Sequence, residues 1–179
     1  MASSSAFRTQ IENRNYLSSV AFKFNLAKYP KVDFFSNSAT IPQLTLQLAT
    51  QATYLKDIDV PGEKLTYGDF TLKFLVDENM ENYLAIHNWL EGLGFPESTA
   101  DFKKITTDSQ NQRDLTEAFC DGTLRILNSN LREIARVKFK DLFPVTLTSL
   151  DFDATTSDVQ YFTAQATFKY TIYDLTSSL

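Results

Sequence analysis

Apolar residues recur at alternate positions in several stretches of this chain, the period of a strand with one buried face. Val20, Phe22, Phe24 and Leu26 alternate with Ala21, Lys23, Asn25 and Ala27 until Tyr29-Pro30 ends the run. Residues 31–42 read as a second, shorter strand that runs into a Ser/Asn turn and stops at Pro42. Leu44, Leu46 and Leu48 then resume the alternation, so the N-terminal region is a meander. From Thr50 to Gly68 the chain is polar, with Tyr54 and Leu55 isolated and with Ile58 and Val60 bounding a short strand. Pro61-Gly62 is a type II turn pair, because Pro fixes the first central φ and Gly accepts a positive φ at the second. This segment is expected to protrude as a hairpin or loop.

Phe70, Leu72, Phe74 and Val76 form the buried face of the next strand. Asp77 is then placed to N-cap a helix reaching Gly94, with Glu78 in its first turn, where the helix dipole favours negative charge. Met80, Tyr83, Leu84, His87, Leu90 and Leu93 trace the stripe that packs it on the sheet. Residues 96–113 are polar, and 112–119 read as a helical turn or two. A strand over 122–127, a turn at Asn128–Asn130 and a second strand complete a hairpin. In that second strand Ala135, Val137 and Phe139 face inward, and Arg136, Lys138 and Lys140 form a basic outward row. Extended chain continues to Asp153, and Val159–Tyr173 reads as one long strand. Phe162, Ala164, Ala166, Phe168, Tyr170 and Ile172 lie on one of its faces.

The pattern predicts a mainly β protein, an antiparallel β-sandwich or partly closed barrel with one flanking α-helix. Residues 1–19, polar and serine-rich, read as an N-terminal arm, and 20–179 as a single β domain. With 179 residues the chain is long enough to bury a core, and 43% hydrophobic against 22% charged residues speaks against wholesale disorder. The 15 Phe and 8 Tyr tilt the balance further toward sheet. A net charge of −5 argues against gripping nucleic acid, since phosphate affinity comes from clustered Lys and Arg. No run approaches the roughly 20 apolar residues of a membrane span, and the N-terminus lacks the apolar core of a secretory signal. With a single cysteine there is no intramolecular disulfide and no sign of an oxidising compartment.

Chemistry is sparse. His87 is the only histidine, so the usual multi-His metal sites cannot be assembled, and its stripe position makes it a partly buried structural residue. Cys120 reads as a small buried apolar residue rather than a reactive thiol. The acidic pairs, such as Asp57 with Asp59 and Asp151 with Asp153, sit where strand or turn ends meet solvent. No glycine loop for phosphate and no EF-hand spacing occurs. No catalytic, metal or cofactor residues are assigned, and an enzyme is not expected.

The order of parts supplies what isolated residues do not. Ile58, Val60, Gly62, Lys64, Tyr67, Asp69, Phe70, Leu72, Phe74, Asp77 and Glu78, followed near the C-terminus by Leu142, Phe143, Pro144, Leu147, Leu150 and Asp153, resemble the tail-tube proteins of contractile-tailed, T-even type bacteriophages. One extra residue stands between Lys64 and Tyr67, and Asp141 and Ala154 replace a family glycine and tryptophan.

The resemblance implies a structural virion subunit, made in the host bacterial cytoplasm. It implies hexameric rings that self-assemble and stack into a channel inside a contractile sheath, with sheath and baseplate proteins as partners. Genomic DNA would pass through the channel without specific binding. Related folds serve as tube initiators, terminators and baseplate hub parts, and a β-barrel for a small apolar ligand is the alternative from another class. The candidate subunit or ring contacts are Tyr54, Asp57, Asp59, Glu63, Lys64 and Tyr67 in the protruding segment, together with Arg136, Lys138 and Lys140. Asp57, Asp59 and Glu63 would either face the channel or pair with basic residues of the next ring. The outer face of 159–173 would be a lumen wall, an intersubunit seam or simply a solvated surface.

Overall fold

A computed structural model describes residues 17, 19–29, 35–94, 118–153, 155 and 161–177. The expected N-terminal arm lies almost wholly outside these residues, as does nearly all of the helical turn expected over 112–119. The described residues form nine strands and one helix, and seven of the strands build a body of two antiparallel layers. In one layer the order is β1 (Phe22–Leu26), β6 (Cys120–Leu127), the first half of β7 (Glu133–Leu147) and β9 (Ile172–Ser177). In the other it is β2 (Phe35–Thr40), β5 (Phe70–Leu75), β8 (Thr163–Lys169) and the second half of β7. The layers share β7, and among the described residues no ladder joins β1 to β2. The result is a partly closed antiparallel sandwich, as expected.

The corner sits at Asp141. Its φ of 54° lies in the left-handed region, where Asp is one of the tolerated non-Gly residues. The β6 register shifts by one residue between Gly122↔Phe139 and Cys120↔Leu142, a bulge that bends β7 from one layer into the other. The C-terminal region follows the same corner. The single long strand expected over 159–173 is instead two strands, parted at Tyr170-Thr171, where the Thr171 amide donates to the Lys140 carbonyl. Parity inverts across the break. Tyr173 stands opposite Phe139 and is half-buried on the inward side, Ile172 turns outward, and Leu175, opposite Val137, lies exposed at the sheet edge.

Alternation fills the space between the layers. Phe24 and Leu26, Phe70, Leu72 and Phe74, Val137 and Phe139, and Ala164, Ala166 and Phe168 are all buried. Small residues oppose large ones, Leu72 against Ala166 and Phe74 against Ala164, which lets the side chains interdigitate. Phe70 is central, with the rings of Phe139, Phe24 and Phe168 at 4.5, 5.2 and 6.0 Å. Each such fully buried side chain contributes about 1.5–3 kcal/mol. Val20 is exposed and lies outside β1. Ser36–Ser38 is a bulge within β2 rather than a turn.

The helix α1 spans Glu81–Gly94 and packs on β7. It starts later than expected: Asp77 opens a turn closed by the Met80 amide, and the Met80 carbonyl accepts the first helical bond from Leu84. Its buried stripe is Asn82, Ile86, Trp89 and Gly92, with Tyr83, Leu90 and Leu93 partly covered, one position off the expected phase. Asn82 explains the shift, because its buried amide donates to the Leu75 carbonyl at 2.8 Å and accepts from the Asp77 amide at 3.2 Å. His87 is consequently exposed and faces Glu91 at 3.9 Å, not the core.

Candidate assembly interface

Between β2 and β5 the chain leaves the body and forms a two-stranded sheet of its own, β3 (Leu44–Gln51) and β4 (Ile58–Tyr67). The expectation of a protruding hairpin holds, with two differences. The strands begin earlier and run longer than the polar segment indicated, and Pro61-Gly62 is not a turn. Both residues lie within β4, Pro61 paired with Leu48, and no glycine among the described residues has a positive φ. Gly62 is instead a site of close approach: a Cβ there would collide with the Gln47 carbonyl, its carbon 2.9 Å away. The β4 side carries extra residues at this point, where the register shifts between Leu46↔Leu65 and Leu48↔Pro61.

Register decides what this arm presents. Leu44 stands opposite Tyr67, Leu46 opposite Leu65 and Leu48 opposite Pro61, so these residues share one face. That face is not core: Leu44, Leu46, Leu48 and Leu65 are 49%, 44%, 67% and 50% exposed. An isolated two-stranded hairpin is marginally stable at best, and large contiguous apolar patches are uncommon on the surface of a monomeric soluble protein. At the tip Tyr54 and Leu55 are open to solvent, and the Thr53 hydroxyl donates to the Lys56 carbonyl.

The root of the arm is built differently. The Gly68 amide donates to the Gln43 carbonyl at 2.9 Å, tying the two legs together. The Tyr170 hydroxyl donates to the Gly68 carbonyl at 2.8 Å, and the Tyr173 hydroxyl to the Pro42 carbonyl at 3.4 Å. Tyr67 sets its ring edge-on to Tyr170 and Tyr173 at 6.1 and 5.6 Å, and Phe139 lies 5.1 Å from Tyr170. Lys169 and Asp69 close the side of this cluster at 2.8 Å. Burial, and then the neighbouring Tyr173, Asp69 and Tyr67, push the Tyr170 phenol up to about 12, so it keeps its proton as a donor.

Six of the nine candidate contact residues belong to this arm. Tyr54 and Asp57 are near its tip, Asp59, Glu63 and Lys64 lie exposed along β4, and Tyr67 is half-buried at the root. Arg136, Lys138 and Lys140 lie elsewhere, on the face of β7 away from the core. Their charge is partly offset within the chain. Glu133 binds Arg136 at 2.7 Å and faces Arg125 at 3.8 Å, while Asp174 approaches Lys140 at 3.3 Å. The hydrogen bond from Arg136 holds the Glu133 carboxyl below its ordinary range. Neither the exposure of the arm leucines nor the anchoring of the arm by Tyr170 and Tyr173 is legible in the sequence. The leucine alternation was visible, but alternation does not say which side a partner covers.

Among the described residues no group of three or more His, Cys, Asp and Glu is arranged to hold a metal. Cys120 is buried, accepting from the Lys28 amide at 3.1 Å, and desolvation raises its thiol above the usual range. No helix among the described residues is long and apolar enough to cross a membrane.

The family described as phage tail tube protein matches residues 2–176. The chain belongs to the phage tail tube protein family. The resemblance carried by Ile58–Glu78 and Leu142–Asp153 is thereby borne out. No match is found among curated proteins. Among solved structures, this tail tube protein is similar to the tube-terminating cap of the anti-feeding prophage, at a TM-score of 0.67 and 16% identity over 97% of this chain and 99% of that one. It is similar at 0.61 and 16% identity, over 99% of both chains, to a chain of an extracellular contractile injection system, the PVC sheath-tube complex in its extended state. A chain of the sheath/tube terminator of that system follows at 0.58 and 17% identity, over 92% of this chain and 100% of that one. These likenesses are of fold.

Proposed function

We propose that this tail tube protein assembles with copies of itself into hexameric rings that stack into a tube inside a contractile sheath, attached to baseplate proteins. The β3–β4 arm is the principal contact with neighbouring subunits. The observation that carries the reading is the arm's apolar face, folded and anchored by the body yet uncovered in a single chain. Covering Leu44, Leu46, Leu48 and Leu65 with a neighbour removes that surface from water, at roughly 25 cal/mol per Å². Tyr54, Asp57, Asp59, Glu63 and Lys64 frame the contact, and the row Arg136, Lys138 and Lys140 is a secondary surface toward sheath or neighbour. Residues 20–179 make up a single β domain and 1–19 an N-terminal arm. The protein has no catalytic role and uses no cofactor. An acidic subunit suits a channel through which DNA slides without being held. The protein is made in the host cytoplasm and ends in the virion.

A second reading places it at the end of the tube, as a single capping ring, which the likeness to a tube-terminating cap favours. Negative-stain electron microscopy of the purified protein separates the two, with hollow tubes for the first and single rings for the second. Replacing Leu46 and Leu65 by Asp is expected to leave a folded protein that forms neither. Tubes from the double variant at wild-type yield would overturn the role of the arm.

A further inference from the structure

The arm enters and leaves the body through two short crossings, Ile41–Gln43 and Gly68–Asp69. Backbone torsions at such crossings are soft, and the arm is a long lever. The ten residues of β4 span about 30 Å at about 3.3 Å each, so a swing of about 10° at the root displaces the tip by about 5 Å. That displacement exceeds the length of a hydrogen bond. A contact surface carried on such a lever docks reproducibly only if its root angle is fixed.

Both crossings are held from one place. Tyr170 bonds the leg that leaves the arm, through the Gly68 carbonyl, and Tyr173 bonds the leg that enters it, through the Pro42 carbonyl. These tyrosines flank the break between β8 and β9, where the Thr171 amide is bonded to the Lys140 carbonyl beside the bend at Asp141. The anchor is therefore the corner shared by the two layers, where β7 passes from one to the other. Tyr67, from the arm itself, completes the joint by placing its ring against both.

We infer that Tyr170 and Tyr173 form a clamp that fixes the angle of the β3–β4 arm to the sheet corner and so pre-organises it for docking. The inference rests on the arm being the assembly contact. The two tyrosines are positioning residues, acting through the arm and not at the contact. Fixing the angle in the free subunit lowers the ordering cost of association, which is how rigidity becomes affinity.

The test removes only the hydroxyls. Tyr170→Phe, Tyr173→Phe and the double variant keep the rings and their packing. Hydrogen–deuterium exchange in the unassembled subunit compares the arm amides of β3 and β4 with those of β5 and β8. The double variant is expected to speed exchange at Gly68 and along the arm about tenfold or more, with β5 and β8 unchanged. Tyr170→Phe is expected to account for most of this, since its bond is the shorter. Where wild-type tubes form, the double variant is expected to need about tenfold more protein to assemble. Unchanged arm exchange in the double variant overturns the clamp, whatever happens to assembly. Faster arm exchange in a protein whose wild type never assembles supports the clamp and removes the reading of the arm as a tube contact.

Discussion

Tyr170 illustrates how one side chain carries several tasks. Its ring packs on Phe139, its hydroxyl holds the arm, and its surroundings oppose loss of its proton. The groups around it are Tyr67, Tyr173 and Asp69, the last paired with Lys169, so among the described residues the neighbouring charges oppose the phenolate. An ordinary phenol ionises near 10, whereas this one is raised to about 12. Below the lower value the contribution to stability is full. Between the two, the unfolded chain releases a proton that the folded chain retains, so stability falls as pH rises. The unfolding midpoint of the wild type is therefore expected to drop more steeply across this alkaline window than that of Tyr170→Phe, measured by circular dichroism at matched pH values. Tyr29 and Cys120, also raised by burial, are common to both proteins and cancel in the comparison. Parallel curves would show that Tyr170 is not held protonated by the fold. Asn82 makes a related point without charge: a buried amide with both ends satisfied stands where a pattern of apolar residues would place none.

At the scale of elements, local period and tertiary context divide the information. The strand at Phe70–Leu75 was readable because its inward residues, Phe70, Leu72 and Phe74, are all apolar while Thr71 and Lys73 between them are polar. The helix was readable as a helix, but its phase depended on Asn82, a polar residue whose burial only its partners explain. The unbroken alternation of 159–173 hid a change of sheet, because the break at Tyr170-Thr171 is imposed by the bend in β7. The arm is the instructive case, since Leu44, Leu46 and Leu48 have the same pattern as core yet lie open. Its register hinges on Gly62, whose missing side chain lets the bulge pack against Gln47. Gly62→Val is expected to disorder the arm while sparing the body, because the two-stranded sheet has its own ladder and opens locally. Exchange measurements should then show β3 and β4 amides near the rate of an unstructured chain and β8 amides still protected. Equal loss of protection in both would show arm and body to be one cooperative unit.

For the whole molecule, the question is which force dominates when subunits meet. Each carries a net charge of −5, so bringing them together is opposed by like charge. Two surfaces are available to offset that repulsion: the apolar face of the arm and the basic row on β7. They respond to salt in opposite ways. Raising ionic strength from about 0.1 to about 1 M shortens the screening length from about 10 to about 3 Å, which weakens both repulsion and exposed ion pairs and leaves apolar burial intact. Two of the three cations of the basic row, Arg136 and Lys140, already face Glu133 and Asp174 within their own chain, which reduces what the row can offer a neighbour. Assembly driven by the arm is therefore expected to strengthen with sodium chloride over this range, read as a falling protein concentration at the onset of tube formation by light scattering. Tubes or rings that instead dissolve in high salt would assign the main contact to Arg136, Lys138 and Lys140, and the arm leucines would then need a different partner.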